Sequence, residues 1–311
     1  MILVTGSTGF VGTALCRELT RRDLPFRPVS RTARPGSAVV DDNGPDTDWT
    51  AALAGVDTVI HLAARVHVMQ DTATDPLAAF RRTNVAGTLA LARQFARGGG
   101  KRFIFVSSIK VNGEGTLPGT AYTANDVPAP MDPYGQSKAE AESELFTLAA
   151  AAGLEVVVIR PPLVYGQGVK ANFASMIKWV RRRVPLPLAS VSNARSLVYV
   201  ENLVDLILAA IHQPKAANKI LMVSDGHDVS TPELLKEIGN AADAPARLFP
   251  LPPGLLYSGA TLLGRRSVAN RLLGNLQVDI SETRTLLGWS PPVTFSDAIR
   301  RTVDASSSAL K

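Results

Sequence analysis

Three glycines, Gly6, Gly9 and Gly12, follow the apolar run Ile2-Leu3-Val4 at once and restrict what this chain can fold into more than any other feature. Glycines at three-residue steps between a strand and an amphipathic stretch (Val11–Arg22) predict a tight strand-to-helix turn. One glycine permits the turn. A second lets backbone approach a pyrophosphate, and a third lets helix and strand pack closely. The spacing is GxxGxxG rather than GxGxxG, but the physics is shared, because backbone N–H groups at the helix start face the phosphates. The bland alternative is a tight turn with no ligand.

The rest of the first half repeats the same unit. Strands are expected at Ile2–Thr5, Phe26–Ser30, Thr58–Leu62, Arg102–Ser107 and Glu155–Arg160. Helices are expected at Val11–Arg22, Thr50–Ala54, Leu77–Arg97 and Tyr134–Ala152. Runs such as Phe103-Ile104-Phe105-Val106 and Val156-Val157-Val158-Ile159 are apolar throughout, as strands covered on both faces must be. This is an α/β chain, a Rossmann-type doubly wound parallel sheet. Beyond Arg160 the texture loosens. A smaller, interleaved C-terminal α/β substrate lobe is expected. Residues 1–162 form the dinucleotide-binding part, with 195–215 packing back onto it, and 163–194 plus 216–311 form the lobe. Ile220–Ser224, a capping box at Ser230 and Glu233, and a closing helix Asp297–Ser306 belong to that lobe.

At 311 residues the chain can bury a substantial core, and 46% apolar with 19% charged residues is an ordinary globular balance. The net charge of +6 is scattered, and aromatics make up only 6%, so a nucleic-acid partner is not expected. Arg181-Arg182-Arg183 and Arg265-Arg266 read as solvated basic surface. The single cysteine, Cys16, excludes an internal disulfide. The four histidines (His61, His67, His212, His227) lack ligand spacing, so no metal is expected. The first strand begins at residue 2, which fits no signal peptide. The apolar stretch Leu251 to Leu263 is broken by Pro252, Pro253, Gly254 and Ser258 and is too short to span a bilayer. A cytoplasmic protein is the expectation.

Tyr134 and Lys138 lie four residues apart on a helix that opens with Pro133, so they share one face. A free phenol, with a pKa near ~10, is a poor base. An adjacent ammonium and a cationic nicotinamide would favour the phenolate by about 2–3 pKa units. Ser107-Ser108 ends a strand at the sheet edge where α/β ligands bind, and Ser108 is the preferred hydroxyl partner for a reacting oxygen. At the end of the second strand, where NAD binders usually carry an acid, the chain has Arg31. A guanidinium suits a ribose 2′-phosphate, which favours NADP(H), with NAD(H) as the alternative. Arg31 as plain surface remains open.

Thr5–Gly12, His61-Leu62-Ala63-Ala64, Asn84, Ser107-Ser108, Tyr134/Lys138 and Arg160-Pro161-Pro162-Leu163-Val164-Tyr165-Gly166 together resemble the extended short-chain dehydrogenase/reductase family. Within it they resemble the NAD-dependent epimerase/dehydratase group acting on nucleotide sugars. The resemblance covers nearly the whole chain. It implies Tyr134 as acid/base, Lys138 as its tuner and a ribose contact, and Ser108 as the partner of the substrate oxygen. Gly6, Gly9, Phe10, Val11 and Gly12 would line the cofactor phosphates and Ala63 would lie along the cofactor, while Asn84 would be structural. Asn172 and Arg195 match residues that hold a nucleotide diphosphate, and Arg271 is a second such candidate or ordinary surface.

Dehydratases of this group carry Thr-Asp-Glu where this chain has Ser108-Ile109-Lys110, which disfavours elimination of water. The resemblance then points to hydride transfer at C4 of a UDP-sugar. The first reading is 4-keto reduction, as in O-antigen enzymes that act on a UDP-4-keto-6-deoxy-N-acetylglucosamine. The alternative is a UDP-glucose or UDP-N-acetylglucosamine 4-epimerase, and a steroid or flavonoid ketone reductase stands further off. Asn112 replaces a tyrosine common in this loop and bears on the shape of the sugar pocket. By analogy the chain forms a homodimer through helices such as Leu77–Arg97 and Tyr134–Ala152.

Overall fold

The structure is a computed structural model that describes residues 1–66, 75–169 and 171–308. His67 and Lys170 lie outside the described residues. Seven strands form one parallel sheet: β1 (Ile2–Thr5), β2 (Phe26–Ser30), β3 (Ala38–Val39), β4 (Thr58–His61), β5 (Arg102–Val106), β6 (Glu155–Arg160) and β9 (Lys219–Met222). Their order is β3-β2-β1-β4-β5-β6-β9, so the strand order reverses between β1 and β4. In open α/β sheets ligands bind at the carboxyl edge of that switch point. The doubly wound α/β expectation is therefore met.

The apolar strands are covered on both faces, and the two-residue strand period divides them between two cores. Leu3, Val59, Phe103, Phe105, Val156 and Val158 pack with Leu91, Phe95 and Leu145 of α4 (Thr88–Arg97) and α5 (Pro133–Ala152). Val4, Ile60, Ile104, Val157 and Ile159 pack on the other side with Leu15, Leu19, Leu203 and Ile207 of α1 (Phe10–Arg21) and α7 (Val200–His212). Arg22 and Asp205 join those last two helices by an ion pair of 2.9 Å. Cys16 sits half-buried in α1, where burial pushes its thiol up to about 11, as an inert structural cysteine requires.

Three strands form a second sheet in the order β10-β8-β7: β7 (Leu163–Tyr165), β8 (Arg195–Tyr199) and β10 (Asp228–Val229). One expectation is corrected here. The segment Ile220–Ser224 was assigned to the smaller lobe, yet β9 pairs with β6 as the outermost strand of the large sheet. Short strands such as β7, β8 and β10 carry too little periodicity to be seen ahead of their partners. The chain beyond β6 also forms α6 (Ala171–Arg181), α8 (Thr231–Ala241), α9 (Pro253–Leu262), α10 (Arg266–Leu273), α11 (Ser281–Leu287) and α12 (Phe295–Ser308). The capping box at Ser230 and Glu233 forms as its residues dictate. Among the described residues no helix is long and apolar enough to cross a membrane.

The expected helix Leu77–Arg97 is helical throughout but not uniform. After α2 (Thr50–Leu53), a short α3 (Pro76–Phe80) capped by Asp75 runs into a π-helical turn, Arg81–Gly87, and only then into α4. The wider turn carries Asn84, which is buried. Its amide oxygen accepts from Arg65 N at 2.8 Å, and its amide nitrogen donates to Arg65 O and to Ser137 Oγ, both at 3.0 Å. Asn84 thus ties the chain after β4 to α5, the structural part expected of it.

Two stability predictions follow from this packing. A Cβ at Gly87 would stand 2.1 Å from the Asn43 carbonyl oxygen. Gly87→Ala should therefore lower the unfolding free energy by about 1–3 kcal/mol, measured by urea titration. His61 is fully buried between Thr5 Oγ1 at 2.7 Å and Thr88 Oγ1 at 2.9 Å, and burial, then the nearby Lys138 charge, lowers its pKa to about 3. The unfolded imidazole binds its proton first, so His61 stabilises the fold above the ordinary histidine range, and that stability is lost as pH falls toward about 3. Unfolding free energy measured from neutral to acid pH should fall less steeply in a His61→Gln variant.

Candidate functional site

The glycine loop sits at the switch point. Gly6 has φ +64°, and a Cβ there would meet Ala63 N at 2.7 Å. A Cβ on Gly12 would meet the Gly6 carbonyl oxygen at 2.1 Å. Only glycine fits either place. Gly9 caps α1 without any side-chain hydrogen bond, so the first amides of the helix, carried by Phe10, Val11 and Gly12, keep no side-chain partner at the cap. Unfilled amides at a positive helix end suit paired phosphates. Ser7 Oγ donates to Val29 O at 2.6 Å, and Ala63 N donates to Thr5 Oγ1 at 3.2 Å, so the loop is fixed between β2 and the end of β4. These residues fit a dinucleotide. Arg31 follows the buried Ser30 at the end of β2 and is exposed, where a ribose 2′ substituent would lie.

Tyr134, Lys138 and Ser108 come together at the carboxyl edge of β5. Asp132 caps α5, accepting from Gly135 N at 2.7 Å, and Pro133 opens the helix. Ser108 caps the short 3₁₀ turn Ile109–Val111, its hydroxyl accepting from Lys110 N at 3.3 Å and lying near enough to the Tyr134 phenol to favour its ionised form. Lys110 bridges the turn to the helix by pairing with Asp132 and, at 2.7 Å, with Glu114. Ile109 is core. No carboxylate occupies the two positions where dehydratases were expected to carry one.

Lys138 is buried, with its Nζ donating to Val106 O at 2.9 Å and lying 4.3 Å from the centre of the Phe105 ring. Burial lowers its pKa to about 7, against the opposing charge of Glu142. Tyr134 packs edge-on against Phe80, with ring centres 6.0 Å apart. Here the expectation of a depressed phenol fails for the protein alone. Burial and then Asp132 push Tyr134 up to about 12, and only the Ser108 hydroxyl opposes them. Lys138 faces the Val106 carbonyl and the Phe105 ring instead of neutralising the phenol.

Sequence reasoning missed Glu142. It lies one turn beyond Lys138, repeating the Tyr134–Lys138 step, and that repeat was the available signal. Its carboxylate accepts from Ser107 Oγ and pairs with Arg160 at 2.6 Å. Arg160 in turn donates to Asn112 Oδ1 at 3.0 Å, and Asn112 Nδ2 donates to Thr123 O at 3.0 Å. Asn112 is thus a buried strut between Arg160 and the Thr123 carbonyl.

Arg195, at the start of β8, donates to Gly274 O at 2.9 Å. Burial and then the positive charge of Arg271 hold its pKa below the usual guanidinium range, with Glu114 opposing, so the two arginines stand near each other. Asn172 occupies the first turn of α6.

A family described as NAD dependent epimerase/dehydratase matches residues 2–224. A Vibrio cholerae protein named UDP-glucose 4-epimerase is 48% identical over 310 residues, covering 98% of this chain and 94% of its own. UDP-glucuronic acid 4-epimerase from Bacillus cereus, solved with NAD, superposes with a TM-score of 0.79 at 20% identity, covering 100% of this chain and 99% of that one. UDP-glucose 4-epimerase from Thermotoga maritima, solved with UDP-glucose, gives 0.78 at 22%, covering 100% and 99%. At those identities the two structures speak for the fold alone. The match over most of the length and the half-identical relative carry more: this chain belongs to the NAD-dependent epimerase/dehydratase family.

Proposed function

We propose that this chain is a UDP-sugar 4-epimerase. The observation that carries the reading is the Vibrio cholerae relative, 48% identical end to end and named for that activity. It favours epimerisation over 4-keto reduction, which the sequence reading had placed first. NAD(H) is the proposed cofactor, in keeping with the family and with the NAD-bound Bacillus structure. The NADP(H) preference has only the exposed Arg31 behind it.

In this reading Gly6, Gly9, Phe10, Val11 and Gly12 would hold the pyrophosphate, Ala63 would lie along the cofactor and Lys138 would contact the ribose. When bound, NAD supplies an acceptor that takes hydride from C4 and returns it to the opposite face. Tyr134 takes the C4 hydroxyl proton and gives it back. Ser108 orients the same oxygen. A phenol held near 12 is a poor base, so the chain is reactive only when positive charge approaches Tyr134. That arrangement restricts proton transfer to the loaded site. Arg195, Arg271 and Asn172 are proposed for the substrate diphosphate, whose charge would relieve the repulsion between the two guanidinium groups.

A second reading, 4-keto reduction with NADPH, rests on Arg31. One experiment separates the two. Protein mixed with UDP-glucose or UDP-N-acetylglucosamine should yield the galacto epimer with no net change in nicotinamide absorbance. Stoichiometric NADPH loss on a UDP-4-keto sugar, without epimer formation, would transfer the assignment to a reductase. Tyr134→Phe should lower kcat by about 10²–10⁴-fold while cofactor affinity, read by fluorescence titration, stays within a few-fold.

A further inference from the structure

The helical hairpin α9–α10 is unlike the rest of the surface. From Leu248 to Gly264 the sequence holds no charged residue. A helix this apolar is ordinarily buried, yet α9 has no buried residue and α10 has only Ala269. Leu255 is 62% exposed, Leu262 89% and Leu263 76%. Leu255 and Leu262 lie seven residues apart, on one face of α9, and Leu263 follows at its end, so the exposed leucines form a stripe along the helix and not a scatter of single side chains.

The charge around that stripe has one sign. Between Asp243 and Asp279 there is no acidic residue, while Arg247, Arg265, Arg266 and Arg271 all fall within the interval. Arg265 and Arg266 follow Leu262 and Leu263 after the single residue Gly264. Arg266 Nε donates to the Tyr257 hydroxyl at 2.7 Å, and its guanidinium lies 5.8 Å from the centre of the Tyr257 ring, so a tyrosine and an arginine stand together beside the apolar stripe. Apolar side chains to enter the acyl boundary, an aromatic for the headgroup level and arginines for anionic phosphates are what an interfacial helix presents.

We infer that the α9–α10 hairpin docks the protein on the surface of an anionic phospholipid membrane. Charge complementarity selects this occupant, because a second copy of the chain would bring the same acid-free arginine set against itself. Docking is peripheral, since α9 has ten residues.

The test is vesicle co-sedimentation of the full chain, using mixed phosphatidylcholine and phosphatidylglycerol against phosphatidylcholine alone. Binding is expected on the mixed vesicles only and should be weakened by high salt. Arg265→Glu with Arg266→Glu should lower the partition at least about tenfold, and Leu262→Ser with Leu263→Ser should abolish it. Turnover of a soluble UDP-sugar should be unchanged in both pairs. Absence of binding to mixed vesicles would overturn the inference. So would Leu262→Ser/Leu263→Ser converting a dimer to a monomer in sedimentation velocity, or raising KM for the soluble substrate, either of which assigns the leucines to a different partner.

Discussion

The buried pair of Glu142 and Arg160 is the interaction on which the site geometry depends. Both side chains are almost wholly withdrawn from water, at 4% and 2% exposed. Such a pair adds little net stability against an apolar replacement, but breaking it by removing one partner costs about 3–5 kcal/mol. Its value here is positional. Glu142 comes from α5, Arg160 from the end of β6, Ser107 from the end of β5, and Asn112 from the loop beyond. One set of polar contacts therefore fixes the helix that carries Tyr134 and Lys138 relative to the strand edge that carries Ser108. Because these partners are satisfied inside the protein, small displacements are penalised sharply, and the candidate site residues inherit that stiffness.

The same polar layer accounts for the acid–base state of the site. Desolvation raises the Tyr134 phenol and lowers the Lys138 amine, so each is pushed toward its neutral form. A buried phenol and a buried amine held this way are poor acid–base groups toward water. Their chemistry depends on charge arriving from outside the chain, which couples binding to reactivity more tightly than a permanently ionised pair would.

Much of this was legible in the sequence, and the reason is locality. Gly6 with its positive φ and Gly12 with its close approach to the Gly6 carbonyl answer to one turn, and Tyr134 with Lys138 obeys one helical step. The strands Ile2–Thr5, Phe26–Ser30 and Glu155–Arg160 begin and end where their composition says they should. What was missed is non-local. Residue types alone do not pair Arg160 with a carboxylate 18 positions away or Lys110 with Asp132. Nothing local announces that Gly87, at the end of the π turn, packs against the Asn43 carbonyl, and β9 was misassigned because its neighbour β6 lies more than fifty residues earlier. The raised Tyr134 pKa escaped for the same reason, since burial is a property of everything packed around the ring.

The route of the chain through its two sheets has a consequence for how such a protein can change. After β6 it leaves the large sheet for β7 and β8, returns for α7 and β9, and departs again for β10. No single cut separates the large sheet and its helices from the small one. Recombination cannot exchange one for another as a module. New specificities must instead accumulate by replacements within the loops and at the starts of strands such as β8, each tested against a scaffold already in use.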